Sequence, residues 1–233
     1  VDDSINIRGL KRYAADHCGL VPPPTCSEST GKQVAIIGGG PSGLSAAYYL
    51  QQMGHQCTVF EQRSQLGGML YYGIPNYRLP KDRLMEDVAN ILATGVNVRF
   101  NTSIGNDDGQ LSFKMIRENY DAVYVAIGAH TDKKLGIPGE DAKGVVSAVQ
   151  MLREIGEGNK PDFTGKNAIV VGGGNVAMDA TRSAIRLGAN NVSVLYRRRK
   201  ADMTALEEEI EAAIAEGAEI LELHAPKEIE TDE

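Results

Sequence analysis

Cysteine is scarce in this chain: its 233 residues hold only Cys18, Cys26 and Cys57, with no Cys-x-x-Cys pair. That spacing excludes an internal dithiol–disulfide relay, which needs two thiols held side by side. Three thiols are also too few for an iron–sulfur cluster, which takes four ligands as a rule. Cys18 and Cys26 bracket Pro22, Pro23 and Pro24 and are read as ordinary buried or loop cysteines, with no metal site among them. Long apolar runs are missing as well: no stretch reaches the roughly 18 residues that a membrane helix needs. The chain also lacks a basic start followed by an apolar segment, which would mark a signal peptide. Nor is there an excess of positive charge, since the formal net charge is −7, and this argues against a nucleic-acid partner. These absences lead to the expectation of a cytoplasmic protein without a membrane span, and 42% hydrophobic residues suffice for buried parallel sheets.

What is present is glycine in a recurring order. Gly38-x-Gly40-x-x-Gly43 and Gly172-x-Gly174-x-x-Ala177 each follow a short β-branched run. Glycines so placed let the backbone turn tightly and approach a pyrophosphate lying at the positive N-terminus of the next helix. In the first copy the pattern predicts a strand over 34–37 and a helix over 41–53, with Pro41 in the first turn, where a missing N–H is harmless. A second strand over 57–60 ends at Glu61. An acid there accepts hydrogen bonds from both ribose hydroxyls of an adenosine, so the first site is expected to take an unphosphorylated ribose.

The second copy predicts a strand over 169–171, a helix over 175–187 ended by Gly188, and a strand over 191–195. That strand runs into Tyr196-Arg197-Arg198-Arg199-Lys200 with no carboxylate at its end. An acid would repel a 2′-phosphate, whereas guanidinium groups bind it through charge-assisted hydrogen bonds. Arg197 and Arg198, read at the strand end itself, therefore favour NADPH over NADH. Arg199 and Lys200 either share that task or form a solvated face. Two dinucleotide sites in one chain point to a flavoprotein that keeps one nucleotide and exchanges the other.

The expected organisation is an arm over 1–30, a first domain over 31–130 and a second over 131–233. Both domains are read as α/β, with parallel sheets flanked by helices. The arm carries a helix over 7–17 whose apolar stripe, Ile7, Leu10 and Tyr13 or Ala14, is expected to pack on the chain's own core. In the first domain a loop over 67–81 precedes a helix over 82–94 and strands over 96–100 and 121–127. His130, beside the turn at Gly128, is read as solvated rather than catalytic. In the second, a helix over 203–216 and a strand over 219–224 follow the basic cluster. Glu207, Glu208 and Glu209 begin that helix near its positive end, where carboxylates are favourable, and are read as solvated.

Five stretches carry a resemblance to a known group: Gly38-Gly-Gly-Pro-Ser-Gly43, Gly67-Gly-Met-Leu-Tyr-Tyr-Gly-Ile-Pro-Asn-Tyr-Arg-Leu-Pro-Lys81, Ile137-Pro-Gly-Glu-Asp141, Gly172-Gly-Gly-Asn-Val-Ala177 and Tyr196-Arg-Arg198. The chain resembles the flavin subunit of NADPH-dependent glutamate synthase and its relatives. These include the flavin and NADPH regions of dihydropyrimidine dehydrogenase and the large subunit of NADH-dependent ferredoxin:NADP oxidoreductase. The stretch over 67–81 is the most specific of the five. The resemblance implies two Rossmann-like domains, for FAD and for NADP(H). It implies FAD contacts at Gly38, Gly40, Pro41, Ser42, Gly43, Glu61, Gly68, Met69 and Arg78, and NADP(H) contacts at Gly172, Gly174, Asn175, Val176, Arg197 and Arg198. It further implies hydride passage between NADPH and FAD, then single-electron transfer to iron–sulfur centres in a region or partner subunit outside this chain. No side chain needs to be a catalytic acid, base or nucleophile, because the flavin performs the chemistry. Members of the group continue beyond the equivalent of residue 233 and return to the flavin domain, so both domains are expected to be incomplete at the C-terminus. A flavin held by part of its pocket loses contacts at the same entropic cost, so the isolated chain is expected to bind FAD weakly. The alternative is a truncated nucleotide-binding subunit, inactive alone, that serves assembly of a larger complex.

Overall fold

Two short β-branched runs, each followed by a glycine turn and a helix, belong to two separate parallel sheets, and a third sheet has two strands. The computed structural model describes residues 5–19, 21–105 and 111–231, and the chain divides into two units. The first comprises Val1–Ser64 and Met85–Ala126; the second comprises Gln65–Leu84 and Ile127–Glu233. In chain order the elements are α1 (Ile7–His17), β1 (Gln33–Ile37), α2 (Pro41–Gln52), β2 (Gln56–Phe60), α3 (Met69–Tyr72), α4 (Lys81–Leu92), β3 (Asn97–Arg99), β4 (Ile104–Gly105) and β5 (Leu111–Ser112). There follow α5 (Phe113–Asn119), β6 (Ala122–Val125), α6 (Ala148–Gly156), β7 (Asn167–Val171), α7 (Asn175–Arg186), β8 (Asn191–Tyr196), a 3-10 turn (Lys200–Asp202), α8 (Glu207–Ala215) and β9 (Glu219–Glu222).

The first unit carries a four-stranded parallel sheet in the order β3-β2-β1-β6 and a two-stranded parallel sheet of β4 and β5. The two central strands of the larger sheet are buried on both faces, as parallel strands covered by crossover helices must be: Ala35, Ile36, Cys57 and Val59 are fully enclosed. Ile116 of α5 joins Ala35 and Phe60 in the core. The arm departs from expectation. Its helix forms where the periodicity places it, with the Asn6 side chain capping it by accepting from Gly9 N at 2.8 Å. Yet no residue of α1 is buried, and Ile7, Leu10 and Tyr13 are all more than 60% exposed. Local capping and the Arg12–Asp16 pair at 2.8 Å account for the helix; core packing does not.

The second unit carries a three-stranded parallel sheet in the order β7-β8-β9. Met178 and Ala177 of α7 pack with Val194, Ile210 and Ala213 into one cluster, and Met151 and Leu152 of α6 pack on Ala180 in another. Strand β7 lies at the sheet edge, with Ile169 67% exposed. The helix expected over 203–216 begins only at Glu207, because Thr204 N and Ala205 N both donate to the Gly173 carbonyl at 3.0 Å and hold this stretch off a helical path. Helix α6 was not anticipated, although Ser147 and Gln150 form a readable start: the Ser147 hydroxyl accepts from Gln150 N at 3.1 Å.

The division differs from the sequence-based expectation: residues 65–84 and 127–130, assigned above to the domain over 31–130, cluster with the second unit, the arm over 1–30 clusters with the first, and one division falls within α4. No helix among the described residues is long and apolar enough to cross a membrane.

Candidate functional site: two glycine turns and the segment over 65–84

At the first turn, β1 leads into Gly38 at φ +108°, a conformation that disfavours a side chain. Gly38 N donates to the Phe60 carbonyl at 2.9 Å, closing the turn onto β2. A Cβ at Gly43 would stand 1.9 Å from the Gly38 carbonyl oxygen, so glycine alone fits there. Gly40 caps α2 without any side-chain hydrogen bond, and Pro41 is the first helical residue. The N–H groups of the first helical turn are left for an anion, where the helix dipole favours negative charge. The backbone cradle at Gly38 and Gly43 thus fits a dinucleotide pyrophosphate. Glu61 is buried, and both its oxygens are engaged: Oε2 accepts from Gly39 N at 2.8 Å and Oε1 from Arg63 N at 2.9 Å. A carboxylate oxygen has a second lone pair, so these bonds orient Glu61 without exhausting it. Ser42 Oγ lies 3.1 Å from the Tyr124 hydroxyl.

The second turn repeats this plan with different residues. Gly172 takes φ +139° and its N–H donates to the Leu195 carbonyl at 3.1 Å. Gly174 caps α7, again without a side-chain bond. Ile37 faces Phe60 in the first sheet and Val171 faces Leu195 in the second, so Tyr196, not an arginine, stands where Glu61 stands. Arg197 and Arg198 follow one and two residues later, and both are exposed. Their expected position is thus displaced, because β8 continues through Tyr196 to pair with Glu222 of β9. The Tyr196 ring closes on the turn, where a Cβ at Gly173 would come within 2.5 Å of it, and its hydroxyl donates to the Asp202 carbonyl at 2.8 Å. Asn175 spends its side-chain oxygen on Leu206 N at 3.0 Å, while Val176 is exposed at the helix start. Of the residues left open by the sequence, Arg199 turns to its own 3-10 turn, 3.6 Å from Asp202. His130 lies outside both turns, its Nε2 2.8 Å from the Ile127 carbonyl oxygen.

The segment over 65–84 starts with two positive-φ glycines, Gly67 and Gly68, and Gly68 caps the short α3 at Met69. Lys81 Nζ donates to the Leu70 carbonyl at 2.8 Å and also to that of Ile74. Burial brings its pKa down to about 8. Arg78 is engaged within the second unit: Nη1 donates to Asp179 Oδ2 at 2.7 Å, and Nε lies 2.8 Å from Glu209 Oε1. Glu209 also pairs with Arg182 at 2.6 Å, and Arg182 and Arg186 both reach Glu216 at 2.8 Å. The Tyr77 ring lies under the guanidinium groups of Arg186 and Arg182, at 4.0 and 4.5 Å.

Burial pulls the Arg78 pKa down, but the hydrogen bonds and charges of Asp179 and Glu209 together outweigh it and hold it above its ordinary value. Burial pushes the Asp179 carboxyl above the usual carboxylate range, against the pull of Arg78. The two directions are compatible: Arg78 gains from two carboxylates, whereas for Asp179 burial and the neighbouring Glu209 charge outweigh the pull of Arg78 and Arg182. Sequence reading did not single out Asp179, and took Glu209 as solvated when it is buried. The available signal was a polar stripe, Asp179, Arg182, Ser183 and Arg186, at i, i+3, i+4 and i+7 of α7, which by itself reads as a solvent-facing side.

Two parallel sheets, each with a strand, a glycine turn and a helix open at its N-terminus, define an α/β protein of the dinucleotide-binding type. Residues 32–231 match the family model described as pyridine nucleotide-disulphide oxidoreductase, and the chain belongs to that family. It is 42% identical to the NADP(+)-dependent formate dehydrogenase subunit beta of Moorella thermoacetica, over 93% of this chain and 34% of that protein. It is 33% identical to the glutamate synthase [NADPH] small chain of Escherichia coli (strain K12), over 93% of this chain and 48% of that protein. Among solved structures, FprA of Mycobacterium tuberculosis in complex with NADPH superposes with a TM-score of 0.64 at 26% identity, covering 80% of this chain and 48% of that one. The chain therefore spans between a third and a half of the length of these relatives. The resemblance to glutamate synthase small chains is borne out, alongside relatives named for other reactions. The family name mentions a disulphide, but Cys18, Cys26 and Cys57 are free thiols, and burial pushes that of Cys57 up to about 11.

Proposed function

We propose that this chain is the FAD- and NADP(H)-binding part of an electron-input flavoprotein that takes hydride from NADPH and feeds iron–sulfur centres outside residues 1–233. The observation that carries this reading is the duplicated turn: Gly38 N to Phe60 O and Gly172 N to Leu195 O close the same motif at the head of two open helices. Gly38, Gly40, Pro41, Ser42, Gly43 and Glu61 would hold FAD, with Gly68, Met69 and Arg78 contributing from the segment over 65–84. Gly172, Gly174, Asn175, Val176, Arg197 and Arg198 would hold NADP(H). When bound, the flavin supplies the conversion of a two-electron hydride into single electrons.

The chain's own residues bind and orient. Glu61 is already aimed by Gly39 and Arg63 to accept ribose hydroxyls, and an unphosphorylated ribose suits it. The exposed Arg197 and Arg198 follow Tyr196, which stands where an acid would repel a 2′-phosphate, and they suit that group. The high pKa of the buried Cys57 thiol supports an exit for electrons other than a dithiol, because the thiolate is the reactive form. Relatives named as an NADP(+)-dependent formate dehydrogenase subunit and as a glutamate synthase [NADPH] small chain share this stretch, which supports exchange of hydride with NADP(H). We assign the FAD-to-iron–sulfur route on the glutamate synthase pattern. Denaturing the whole protein should release FAD in about one equivalent per chain, read by absorbance and chromatography; release of no flavin would overturn the proposal.

A further inference from the structure

Tyr77 and Arg78 are consecutive residues that both settle on one face of α7. Tyr77 lies under Arg182 and Arg186. Arg78 binds Asp179, on the same face, and Glu209 of α8. The result is an alternating chain of charge, Asp179–Arg78–Glu209–Arg182–Glu216–Arg186, with Asp179, Arg182 and Glu209 largely shielded from solvent. Two buried carboxylates share the Arg78 guanidinium, and Asp179 Oδ1 has no hydrogen-bond partner. Such a cluster is sensitive: removing one member strands the others as buried charge.

The cluster is wired to the second glycine turn by hydrogen bonds. The Gly173 carbonyl holds Thr204 N and Ala205 N, the Asn175 side chain holds Leu206 N, and the Leu206 carbonyl accepts from Glu209 N at 2.9 Å. Glu209 then holds Arg78. Asp179 follows the N-terminus of α7 by a single helical turn, on the helix that Gly174 caps.

We propose that Asp179 and Glu209 are positioning residues that act through Arg78: they hold the segment over 65–84 on the second unit and make its order depend on the nucleotide bound at the second glycine turn. The dependence rests on the reading of that turn as an NADP(H) site given above. An anion at the start of α7 stabilises the turn and the 204–206 stretch bonded to it, and thereby the carboxylates that receive Arg78. Coupling of this kind is reciprocal, so fixing the segment should in turn tighten nucleotide binding.

Hydrogen exchange on the whole protein, with and without NADPH, tests this in the parent, D179N, E209Q, R78Q and R78Q/D179N. Each single change should speed exchange over 65–84 by about tenfold or more, the scale of a lost charge-assisted hydrogen bond, while β1 and β2 stay protected. R78Q/D179N should be no faster than R78Q alone, since R78Q already breaks the one contact to Arg78 that D179N removes. NADPH should slow exchange over 65–84 in the parent and not in the variants. Unchanged exchange over 65–84 in the variants, or additive effects in the double variant, would overturn the clasp. If NADPH binds the parent yet leaves 65–84 unaffected, the coupling is wrong. Absence of NADPH binding to the parent would sink the reading of the second site and the coupling with it, while the exchange of the variants without nucleotide still decides the clasp. Should D179N fail to fold, E209Q and R78Q, which leave α7 unaltered, decide the outcome.

Discussion

At the first glycine turn a Cβ on Gly43 would collide with the Gly38 carbonyl oxygen at 1.9 Å, whereas at the second the equivalent position carries a real methyl, Ala177, 3.5 Å from where a Cβ on Gly172 would stand. The first turn is drawn tight from within, by Glu61 gripping Gly39 N. The second is braced from outside, by the Tyr196 ring over Gly173 and by Thr204 and Ala205 on the Gly173 carbonyl. The difference explains why one spacing of small residues tolerates two sequences. What the motif requires is a close helix–strand approach, and the residue at its third position follows from how close that approach is.

The strongest test of this contrast exchanges the third positions. Gly43→Ala should destabilise the first unit by about 3 kcal/mol or more, since the methyl must displace backbone rather than a flexible side chain. Ala177→Gly should cost the second unit only about 1 kcal/mol, mostly helix propensity. Denaturant unfolding followed in each variant checks both; equal losses would mean that the two turns are not differently packed.

The contrast at the strand ends should appear in cofactor choice. Arg197→Ala with Arg198→Ala should raise the apparent Michaelis constant for NADPH by about tenfold to a hundredfold, the scale of charged hydrogen bonds, and leave that for NADH nearly unchanged. Glu61→Gln should weaken FAD binding by about tenfold, because an acceptor facing the ribose becomes a donor. Titration calorimetry and steady-state kinetics on the whole protein read both. A loss shared equally by NADPH and NADH would remove Arg197 and Arg198 from the 2′-phosphate.

A last contrast, in pH dependence, belongs to the segment over 65–84. Burial lowers the Lys81 pKa to about 8, below the ordinary value of about 10.4. A group with a depressed folded pKa contributes stability that is fully present above its unfolded pKa and is lost as pH falls through the folded one. Relative to Lys81→Met, the parent should therefore gain stability as pH rises from about 8 to about 10.4. A difference that does not change over that window would place Lys81 in water rather than against the Leu70 and Ile74 carbonyls.

Much of the framework was legible in the chain. The strand–glycine–helix order, Pro41 at the helix start, Cys57 in a strand and α1 over Ile7–His17 all follow from local rules: periodicity, capping and the conformations open to glycine and proline. The apolar stripe of α1 misled, because periodicity reports that a helix has a face and says nothing of what covers it. The strand end at the second turn was misplaced by one residue, since pairing of Tyr196 with Glu222 depends on a strand distant in sequence.

The sequence by itself determined that there are two dinucleotide-type turns and which of them carries the acid, because those features depend on neighbours a few residues apart. Only the tertiary structure decided that the segment over 65–84 is held by the second unit, that Glu209 is buried, and that Arg78 is shared between Asp179 and Glu209. Those contacts join residues a hundred or more positions apart in the chain. A charge on a helix face has the same local signature whether it meets water or an arginine from elsewhere, and the difference arises only when packing removes the water.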